Sequence, residues 1–152
     1  MILITGGAGY IGSSIVSSLI SKNQNVIVID NLSKGKKEFV NKKAKFYKGD
    51  LMDKPFLNKV FSDNTIDSII HLAAYKSVEE SMEDQDKYSD NIIGTINLLN
   101  SMCEFNVKKI IFSSSAAVYG NPRYTPIDEK HPLKPLNYYG FTKLEGERII
   151  NY

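Results

Sequence analysis

Tyr139 and Lys143 stand four residues apart near the end of the 152-residue sequence, a spacing that places two side chains on one face of a helix. A free phenol has a pKa of about 10 and is a poor base at neutral pH, because almost all of it is protonated. A lysine ammonium close by favours the phenolate. The pair therefore predicts a site that moves a proton through a tyrosine oxygen.

A glycine pattern lies at the other end of the chain, with Gly6, Gly9 and Gly12 at regular spacing. An apolar run precedes the pattern, a helical pattern follows it, and Asp30 ends the next run of β-branched residues. This is the context that a dinucleotide site requires. Small residues let the backbone approach a pyrophosphate, which then rests at the positive end of the helix. Together with the tyrosine and lysine, the pattern predicts a nicotinamide site.

Asp30 bears on which nicotinamide dinucleotide is bound. Its carboxylate can accept hydrogen bonds from the two hydroxyls of the adenosine ribose and repels a 2′-phosphate, so NAD is favoured over NADP. Lys34 and Lys36 are features that would favour NADP, since bases near this position sometimes bind its 2′-phosphate. Asp50 and Leu51, after the third apolar run, can hold the adenine amino group and cover the adenine face. The alternative for Asp50 is a turn residue at a strand end.

The elements that must hold these residues alternate between strands and helices. Short apolar runs predict the strands, and apolar residues at helical spacing predict the helices. The strands are expected at 1–5, 26–29, 44–47, 68–72 and 108–113, and the helices at 13–22, from 54, at about 88–105 and from 137. This alternation predicts an α/β fold, a doubly wound parallel sheet of the Rossmann type.

Ser115 ends a run of three serines after the fifth predicted strand. In such a fold Leu72, Ser115 and the helix that carries Tyr139 are expected to converge at the carboxyl edge of the sheet, where ligands bind. A serine hydroxyl there can both donate a hydrogen bond to a substrate oxygen and accept one. From spacing alone, the simpler interpretation is that the serines cap the strand end.

The composition indicates one compact domain and argues against several other classes of protein. No apolar run approaches the ~20 residues that span a bilayer, so no membrane segment is expected. The net charge is only +2, and the lysines between 34 and 45 are expected on a solvated loop rather than a nucleic-acid patch. Cys103 is the only cysteine, which excludes an intrachain disulfide and a cysteine-rich metal site. A reducing compartment fits, and the cytoplasm is expected.

The remaining polar residues predict no metal site. His71, at the end of an apolar strand, is expected to be a core histidine with a hydrogen-bond partner, and His131, beside Pro132, a loop residue. The acidic residues between 79 and 86 lack the spacing of a metal-binding loop and are expected on a solvated helix face.

Seven stretches of the chain share their pattern with one family. They are Thr5 to Gly12, Asp30 to Leu32, Gly49-Asp50, His71 to Lys76, Asn91, Ser113 to Gly120 and Tyr139-x-x-x-Lys143. As a set they resemble the extended short-chain dehydrogenase/reductases, and among these the enzymes that epimerise nucleotide-linked sugars. The resemblance runs through the whole chain in order, but it covers less than half of a usual family member.

The resemblance implies a tightly held NAD that takes a hydride from C4 of a UDP-hexose and returns it to the other face, as between UDP-glucose and UDP-galactose. Tyr139 would remove and return the O4 proton, and Ser115 would orient O4. Lys143 would bind the nicotinamide ribose and lower the tyrosine pKa. The cofactor-binding residues would be Gly6, Gly9, Tyr10, Ile11, Gly12, Asp30, Asn31, Leu32, Ser33, Lys34, Gly35, Asp50, Leu51, Leu72, Ala73, Ala74, Tyr75, Lys76, Asn91, Tyr139 and Lys143.

Ala116 and Ala117 bear on the type of reaction. Dehydratases and decarboxylases of the same family usually carry a carboxylate after the strand-end hydroxyl, because their reactions need a further acid or base. Methyl groups cannot transfer a proton, so epimerisation is the expected reaction. Tyr138 stands where a proline is frequent and offers a second phenol, but only Tyr139 lies four residues before Lys143.

The resemblance also implies the domain organisation and a partner. Residues 1–152 are expected to be an incomplete NAD-binding domain that lacks the last strands and the C-terminal substrate domain, so little turnover is expected from them alone. The helices at 88–105 and from 137 resemble those of an intersubunit bundle, so a homodimer is expected. The alternatives are a non-catalytic dinucleotide-binding module or truncated product, and a sugar-nucleotide dehydratase or reductase of the same family.

Overall fold

Five parallel strands form one sheet in the order β3-β2-β1-β4-β5 in the computed structural model, which describes residues 1–152. The strands are β1 (Ile2–Thr5), β2 (Val26–Asp30), β3 (Lys45–Lys48), β4 (Ser68–His71) and β5 (Ile110–Phe112). The helices are α1 (Tyr10–Ser21), α2 (Lys54–Ser62), α3 (Val78–Glu83), α4 (Gln85–Glu104) and α5 (Tyr138–Asn151). The predicted α/β fold with a doubly wound parallel sheet is confirmed.

The chain divides into two compact units. The first comprises residues 1–73 and 97–113 and contains the whole sheet. The second comprises residues 74–96 and 114–152 and contains α3, most of α4, and α5. None of the helices is both long and apolar enough to cross a membrane.

The core of the first unit lies on both faces of the sheet. Successive residues of a strand point to opposite faces, so Leu3 packs with Leu57 of α2 and Leu98 of α4, while Ile4 packs with Val16 of α1. All five residues of β2 are buried. Burial on both faces explains why β2 is a continuous apolar run up to Asp30, without a polar alternation.

The predicted helix at 88–105 is longer than expected and is preceded by a separate short helix. α4 begins at Gln85, and α3 covers Val78–Glu83. Side chains mark both starts, because Ser77 Oγ accepts a hydrogen bond from the Glu80 N–H at 3.3 Å and Asp84 Oδ1 accepts one from the Lys87 N–H at 3.1 Å. The acidic residues of this region lie on these two helices, as expected, except Asp84, which lies between them.

His131 lies in the predicted loop, but it is only 3% exposed. Its Nε2 accepts a hydrogen bond from the Arg123 N–H at 2.9 Å, and its Nδ1 lies 2.9 Å from the Pro132 carbonyl oxygen. The rings of Tyr119 and Tyr124 pack on it at centroid distances of 5.5 and 4.7 Å. This histidine therefore organises the proline-containing loop of the second unit.

Candidate functional site

The glycine pattern forms the turn between β1 and α1, in the first unit. Gly6 has a φ of +71°, and a Cβ atom there would lie 2.8 Å from the Ala73 nitrogen. A Cβ atom at Gly12 would lie 2.2 Å from the Gly6 carbonyl oxygen. Both positions therefore require glycine for the turn itself, whatever the turn binds.

Gly9 is less constrained than these two, because a Cβ atom there would meet one tight contact and no overlap. Its φ of −77° is open to any residue, and the only atom near a Cβ would be the Gly6 carbonyl oxygen at 3.3 Å. Gly9 is the N-cap of α1, which has no side-chain cap and no acidic residue in its first turn. The free space next to unsatisfied N–H groups fits an anionic group such as a pyrophosphate.

Tyr10 and Ile11 follow at the first turn of α1 and are 87% and 61% exposed. Two large apolar side chains therefore border the same space. The sequence named both as cofactor contacts, and their exposure leaves them free to cover a ligand.

Asp30 lies at the carboxyl end of β2 and is 8% exposed. Its Oδ2 accepts a hydrogen bond from the Ala8 N–H at 2.9 Å, and its Oδ1 accepts one from the Leu32 N–H at 2.8 Å. The carboxylate thus joins the glycine turn to the loop that follows β2. Each carboxylate oxygen has further lone pairs, so the bonds leave acceptor capacity for ribose hydroxyls.

The loop after Asp30 packs closely on the glycine turn. A Cβ atom at Gly35 would lie 2.9 Å from the Ala8 carbonyl carbon, and the Lys36 N–H donates to the Ala8 oxygen at 3.1 Å. Asn31 Oδ1 accepts a hydrogen bond from the Ser33 N–H at 2.9 Å. Lys34 and Lys36, the two bases near this loop, are exposed.

Asp50 is a turn residue, as one of the two interpretations of the sequence held. Its Oδ1 accepts a hydrogen bond from the Met52 N–H at 2.9 Å, and its Oδ2 accepts one from Asn31 Nδ2 at 2.8 Å. Leu51 is 9% exposed and belongs to the core of the first unit. The carboxylate therefore holds two loops of the carboxyl edge together.

The end of β4 is held by Thr5. Its hydroxyl lies 2.6 Å from His71 Nδ1 and accepts hydrogen bonds from the N–H groups of Leu72 and Ala73 at 3.2 and 3.3 Å. His71 is 1% exposed, which confirms the prediction of a core histidine with a partner. Thr5 itself carries no sequence signal beyond its position before the glycines.

The second unit contains the residues proposed for proton transfer. Tyr139 and Lys143 lie one turn apart on α5, which begins at the predicted place behind the N-cap Asn137. Lys143 is 4% exposed, whereas Tyr139 is partly exposed. Burial lowers the pKa of Lys143 from its ordinary 10.5 to about 8.

This lowered pKa predicts a pH-dependent stability. Between pH 8 and 10.5 the unfolded chain binds more protons at Lys143 than the folded chain, so the folded chain gains stability as the pH rises. We expect this lysine to contribute a rise of at most about 3 kcal/mol in the free energy of unfolding. Urea denaturation of the 152-residue chain across this pH range measures it.

Lys143→Met should remove most of this rise, because methionine fills a similar volume without a titrating group. Lys42→Met is the matched control, since it replaces an exposed lysine and should keep the rise that Lys143 contributes. Equal pH dependence of the wild-type chain and Lys143→Met would show that burial does not act on this lysine.

Ser115 caps a short turn and lies beside α5. Its Oγ accepts a hydrogen bond from the Ala117 N–H at 3.2 Å, so it caps the turn at 116–118 and not the end of β5, which the simpler interpretation of the serine run predicted. The hydroxyl hydrogen is not used in that bond. A Cβ atom at Gly140 would lie 2.7 Å from the Ala117 carbonyl oxygen, so the turn after Ser115 packs directly on the helix turn that carries Tyr139.

Asn91 holds the segment from Ala74 to Lys76 against α5. Its Oδ1 accepts a hydrogen bond from the Tyr75 N–H at 2.8 Å, and its Nδ2 donates to the Tyr75 oxygen at 3.0 Å and to Thr142 Oγ1 at 3.2 Å. The sequence named Asn91 as a cofactor contact. The structure shows its amide bonded to the chain itself.

A second anchor of α5 joins Ser114 Oγ to Glu147 Oε1. Sequence reasoning placed Ser114 in the serine run without a role of its own, and it did not single out Glu147. The one available signal is that Glu147 lies four residues after Lys143, on the same face of the helix.

Each unit thus collects one group of the predicted site residues. In the first unit these are Gly6 to Gly12, Asp30 to Gly35, Asp50, Leu51, Leu72 and Ala73. In the second unit they are Ala74, Tyr75, Lys76, Asn91, Ser115, Tyr139 and Lys143.

Comparison with known proteins identifies a family that matches nearly the whole chain. The sequence pattern of the NAD dependent epimerase/dehydratase family matches residues 2–152. The UDP-glucose 4-epimerase of Lacticaseibacillus casei is 48% identical over 99% of this chain and 46% of its own length. A putative UDP-glucose 4-epimerase of Methanocaldococcus jannaschii is 47% identical over 99% of this chain and 50% of its own.

Solved structures give the same result. A crystal structure of a UDP-glucose 4-epimerase has a TM-score of 0.97 and 45% identity, over 99% of this chain and 46% of that one. The Bifidobacterium longum UDP-glucose 4-epimerase, solved with NAD⁺ and UDP, has a TM-score of 0.94 and 40% identity, over 99% of this chain and 48% of that one. The chain spans about half the length of these relatives. Because the family pattern covers nearly every residue, the chain belongs to the NAD dependent epimerase/dehydratase family.

Proposed function

We propose that this chain is the cofactor-binding and proton-transferring part of an NAD-dependent UDP-glucose 4-epimerase. The observation that carries the proposal is the placement of Tyr139 and Lys143 one turn apart on α5, with the turn after Ser115 packed against that helix. A protein that only binds a dinucleotide does not need this set. The names of the relatives support UDP-glucose as a substrate, and inversion at its C4 gives UDP-galactose.

The residues of the first unit fit NAD. The space at Gly9 and the N-terminus of α1 would take the pyrophosphate, and Asp30 would accept hydrogen bonds from the adenosine ribose hydroxyls. When bound, NAD supplies a hydride acceptor and donor. The exposed Tyr10 and Ile11 would cover the cofactor, with Asp50 and Leu51 at its adenine end.

The residues of the second unit would transfer the proton of the sugar O4. Tyr139 would take the proton from the sugar O4 as C4 is oxidised and return it when C4 is reduced. The Lys143 ammonium would stabilise the tyrosine oxygen in its ionised form and bind the nicotinamide ribose. Ser115 would donate its free hydroxyl hydrogen to O4.

Ala116 and Ala117 favour epimerisation over elimination within this proposal. Epimerisation returns the same proton and the same hydride, so it needs no further acid or base. A dehydratase or reductase of the same family remains the second candidate, and its reaction products differ.

We propose the same division of labour for the complete polypeptide that carries this chain. Residues 1–152 would be the N-terminal NAD-binding domain, and most of the sugar-binding surface would lie in the part of the relatives that this chain does not cover. We expect little or no turnover from the 152 residues alone, and efficient epimerisation of UDP-galactose by them would overturn this division.

A homodimer and a cytoplasmic location complete the proposal. The helices α4 and α5 carry large exposed apolar residues, with Ile93, Ile96 and Phe141 exposed by 42%, 39% and 39%. Such residues suit an interface between two copies of the chain. A monomeric mass of the complete polypeptide by light scattering would contradict the dimer.

The single cysteine, Cys103, supports a reducing compartment and therefore the proposed cytoplasmic location.

Two assays test the function. Calorimetric titration of the 152-residue chain should show NAD binding, with NADP at least about tenfold weaker because of the Asp30 carboxylate. The complete polypeptide should convert UDP-galactose to UDP-glucose. NAD binding without turnover by the complete polypeptide would favour the binding module, and a dehydrated sugar product would favour the dehydratase.

A further inference from the structure

The first turn of α5 is held by side chains of α3, a helix that is distant in sequence. The Tyr139 N–H donates a hydrogen bond to Ser81 Oγ at 3.0 Å, and the Tyr138 N–H donates to Met82 Sδ at 3.3 Å. The first N–H groups of an α-helix have no partners within the helix, so these contacts satisfy groups that would otherwise need water.

Ser81 offers its hydroxyl in one fixed orientation. The residue is fully buried, and its Oγ–H donates to the Val78 carbonyl oxygen at 2.6 Å. The same oxygen accepts the hydrogen bond from the Tyr139 N–H through one of its two lone pairs. Because this hydroxyl both donates and accepts a hydrogen bond, it cannot rotate away from α5 without losing a buried one.

The helix that carries Ser81 is itself anchored. The hydroxyl of the fully buried Tyr88 donates to Glu80 Oε2 at 2.9 Å and accepts a hydrogen bond from the Ser77 N–H at 2.8 Å. Lys87 forms an ion pair with Glu80. Ser81 therefore stands on a fixed support.

The other side of the Tyr139 peptide is also held. Its carbonyl oxygen accepts a hydrogen bond from Thr142 Oγ1 at 2.8 Å, and Thr142 Oγ1 in turn accepts one from Asn91 Nδ2 at 3.2 Å. The N–H and the carbonyl group of Tyr139 are thus both bonded to side chains, and Tyr139 carries the phenol proposed for proton transfer.

Helix capping alone does not explain this arrangement. Asn137 already caps α5 from the adjacent position, with its Oδ1 accepting from the Gly140 N–H at 2.7 Å. The caps of α2 and α3, Asp53 and Ser77, are likewise local. Ser81 is an additional cap from another helix, and it acts on Tyr139.

We propose that Ser81 is a positioning residue, which fixes the backbone of Tyr139 and thereby the place of its phenol oxygen. The inference rests on the proposed function, because the position of the phenol affects the rate only if the phenol transfers the proton. A displacement of about 1 Å at a reacting group is enough to cost a large factor in rate.

The test compares Ser81→Ala, which removes the acceptor, with Ser81→Thr, which keeps the hydroxyl. In the complete polypeptide we expect Ser81→Ala to lower kcat about tenfold, with KM and NAD content within about twofold, and Ser81→Thr to stay within about threefold of wild type. Ser89→Ala is the matched control. It removes a hydroxyl 2.8 Å from the Tyr138 oxygen and leaves the Tyr139 backbone untouched.

Amide hydrogen exchange of the 152-residue chain gives a readout that does not depend on activity. Ser81→Ala should speed exchange at Tyr139 at least about tenfold, while Ser89→Ala and Ser81→Thr should leave it close to wild type. If Ser81→Ala does not fold, Ser81→Cys replaces it, because the thiol is a weaker acceptor of similar size and should show intermediate effects.

A wild-type kcat in Ser81→Ala, or in Ser81→Cys where it replaces Ser81→Ala, would overturn the inference. So would an equal loss in Ser81→Thr or Ser89→Ala, or unchanged exchange at Tyr139. These results differ from a failure of the proposed function, in which the wild-type polypeptide itself does not epimerise. In that case the proposal that Ser81 positions a catalytic phenol also fails. Amide exchange at Tyr139 would then show only that Ser81 caps α5.

Discussion

Tyr139→Phe is expected to lower kcat of the complete polypeptide by about 10³-fold while NAD content changes by less than about twofold. Phenylalanine keeps the ring but has no oxygen, so it cannot take or return the O4 proton. The backbone bonds of Tyr139 to Ser81 and Thr142 do not involve the phenol and should persist. Turnover of UDP-galactose and the NAD content of the purified protein measure the two effects.

Tyr138→Phe is the control for this prediction. It removes the neighbouring phenol, which lies 2.8 Å from Ser89 Oγ, and it leaves Lys143 with the tyrosine one turn before it. We expect kcat to stay within about threefold of wild type, since the proposed proton transfer uses the Tyr139 phenol and not this one. A similar loss in both variants, or wild-type turnover in Tyr139→Phe, would remove Tyr139 from its proposed role.

Gly9→Ala is expected to abolish most NAD binding while the fold persists. The φ of Gly9 suits alanine, and the chain places only the Gly6 oxygen, at 3.3 Å, near the added methyl group. We therefore expect the free energy of unfolding to change by no more than about 1 kcal/mol. The methyl group would fill the space proposed for the pyrophosphate, so NAD affinity should fall at least about 100-fold.

Gly12→Ala is the contrasting variant at the same turn. A Cβ atom there would lie 2.2 Å from the Gly6 oxygen, so the turn cannot keep its shape, and the variant should lose stability itself. Calorimetry and thermal unfolding separate the two outcomes. NAD affinity close to wild type in Gly9→Ala would show that the cofactor does not approach the chain at this point.

Hydrophobic periodicity was sufficient to predict the fold of this chain. Both faces of the sheet are covered, so β2 is an unbroken apolar run, and its strand character is visible in Val26 to Ile29. The glycine turn and Asp30 were also recognisable, because their positions relative to β1, α1 and β2 follow from local chain geometry. The spacing of Tyr139 and Lys143 is a local property of one helix.

The contacts that hold the site were not visible in the sequence, because they join distant segments. Ser81 bonds to the backbone of Tyr139, and the imidazole of His131 accepts from the backbone of Arg123. Nearly every residue type has a backbone N–H and carbonyl group, so a hydrogen bond to the backbone does not restrict which residue supplies it. The burial that lowers the pKa of Lys143 to about 8 likewise depends on packing around α5.

Asp30 and Ser115 show an intermediate case. Residue type and position singled out both, yet each also bonds to the backbone beside it, with Asp30 accepting from Ala8 and Ser115 accepting from Ala117. A side chain with several lone pairs can serve the fold and a ligand together. The sequence offered both interpretations for Ser115 and only the functional one for Asp30, and the structure leaves room for a ligand at each residue.

The most direct test of the proposed epimerase is the fate of the hydrogen at C4 of the sugar. UDP-galactose labelled with deuterium at C4 should be converted by the complete polypeptide to UDP-glucose that keeps the deuterium at C4, because the hydride is removed and returned at the same carbon. Mass spectrometry and proton NMR of the product measure this. Loss of the deuterium to solvent, or no conversion by a polypeptide that holds NAD, would contradict the account.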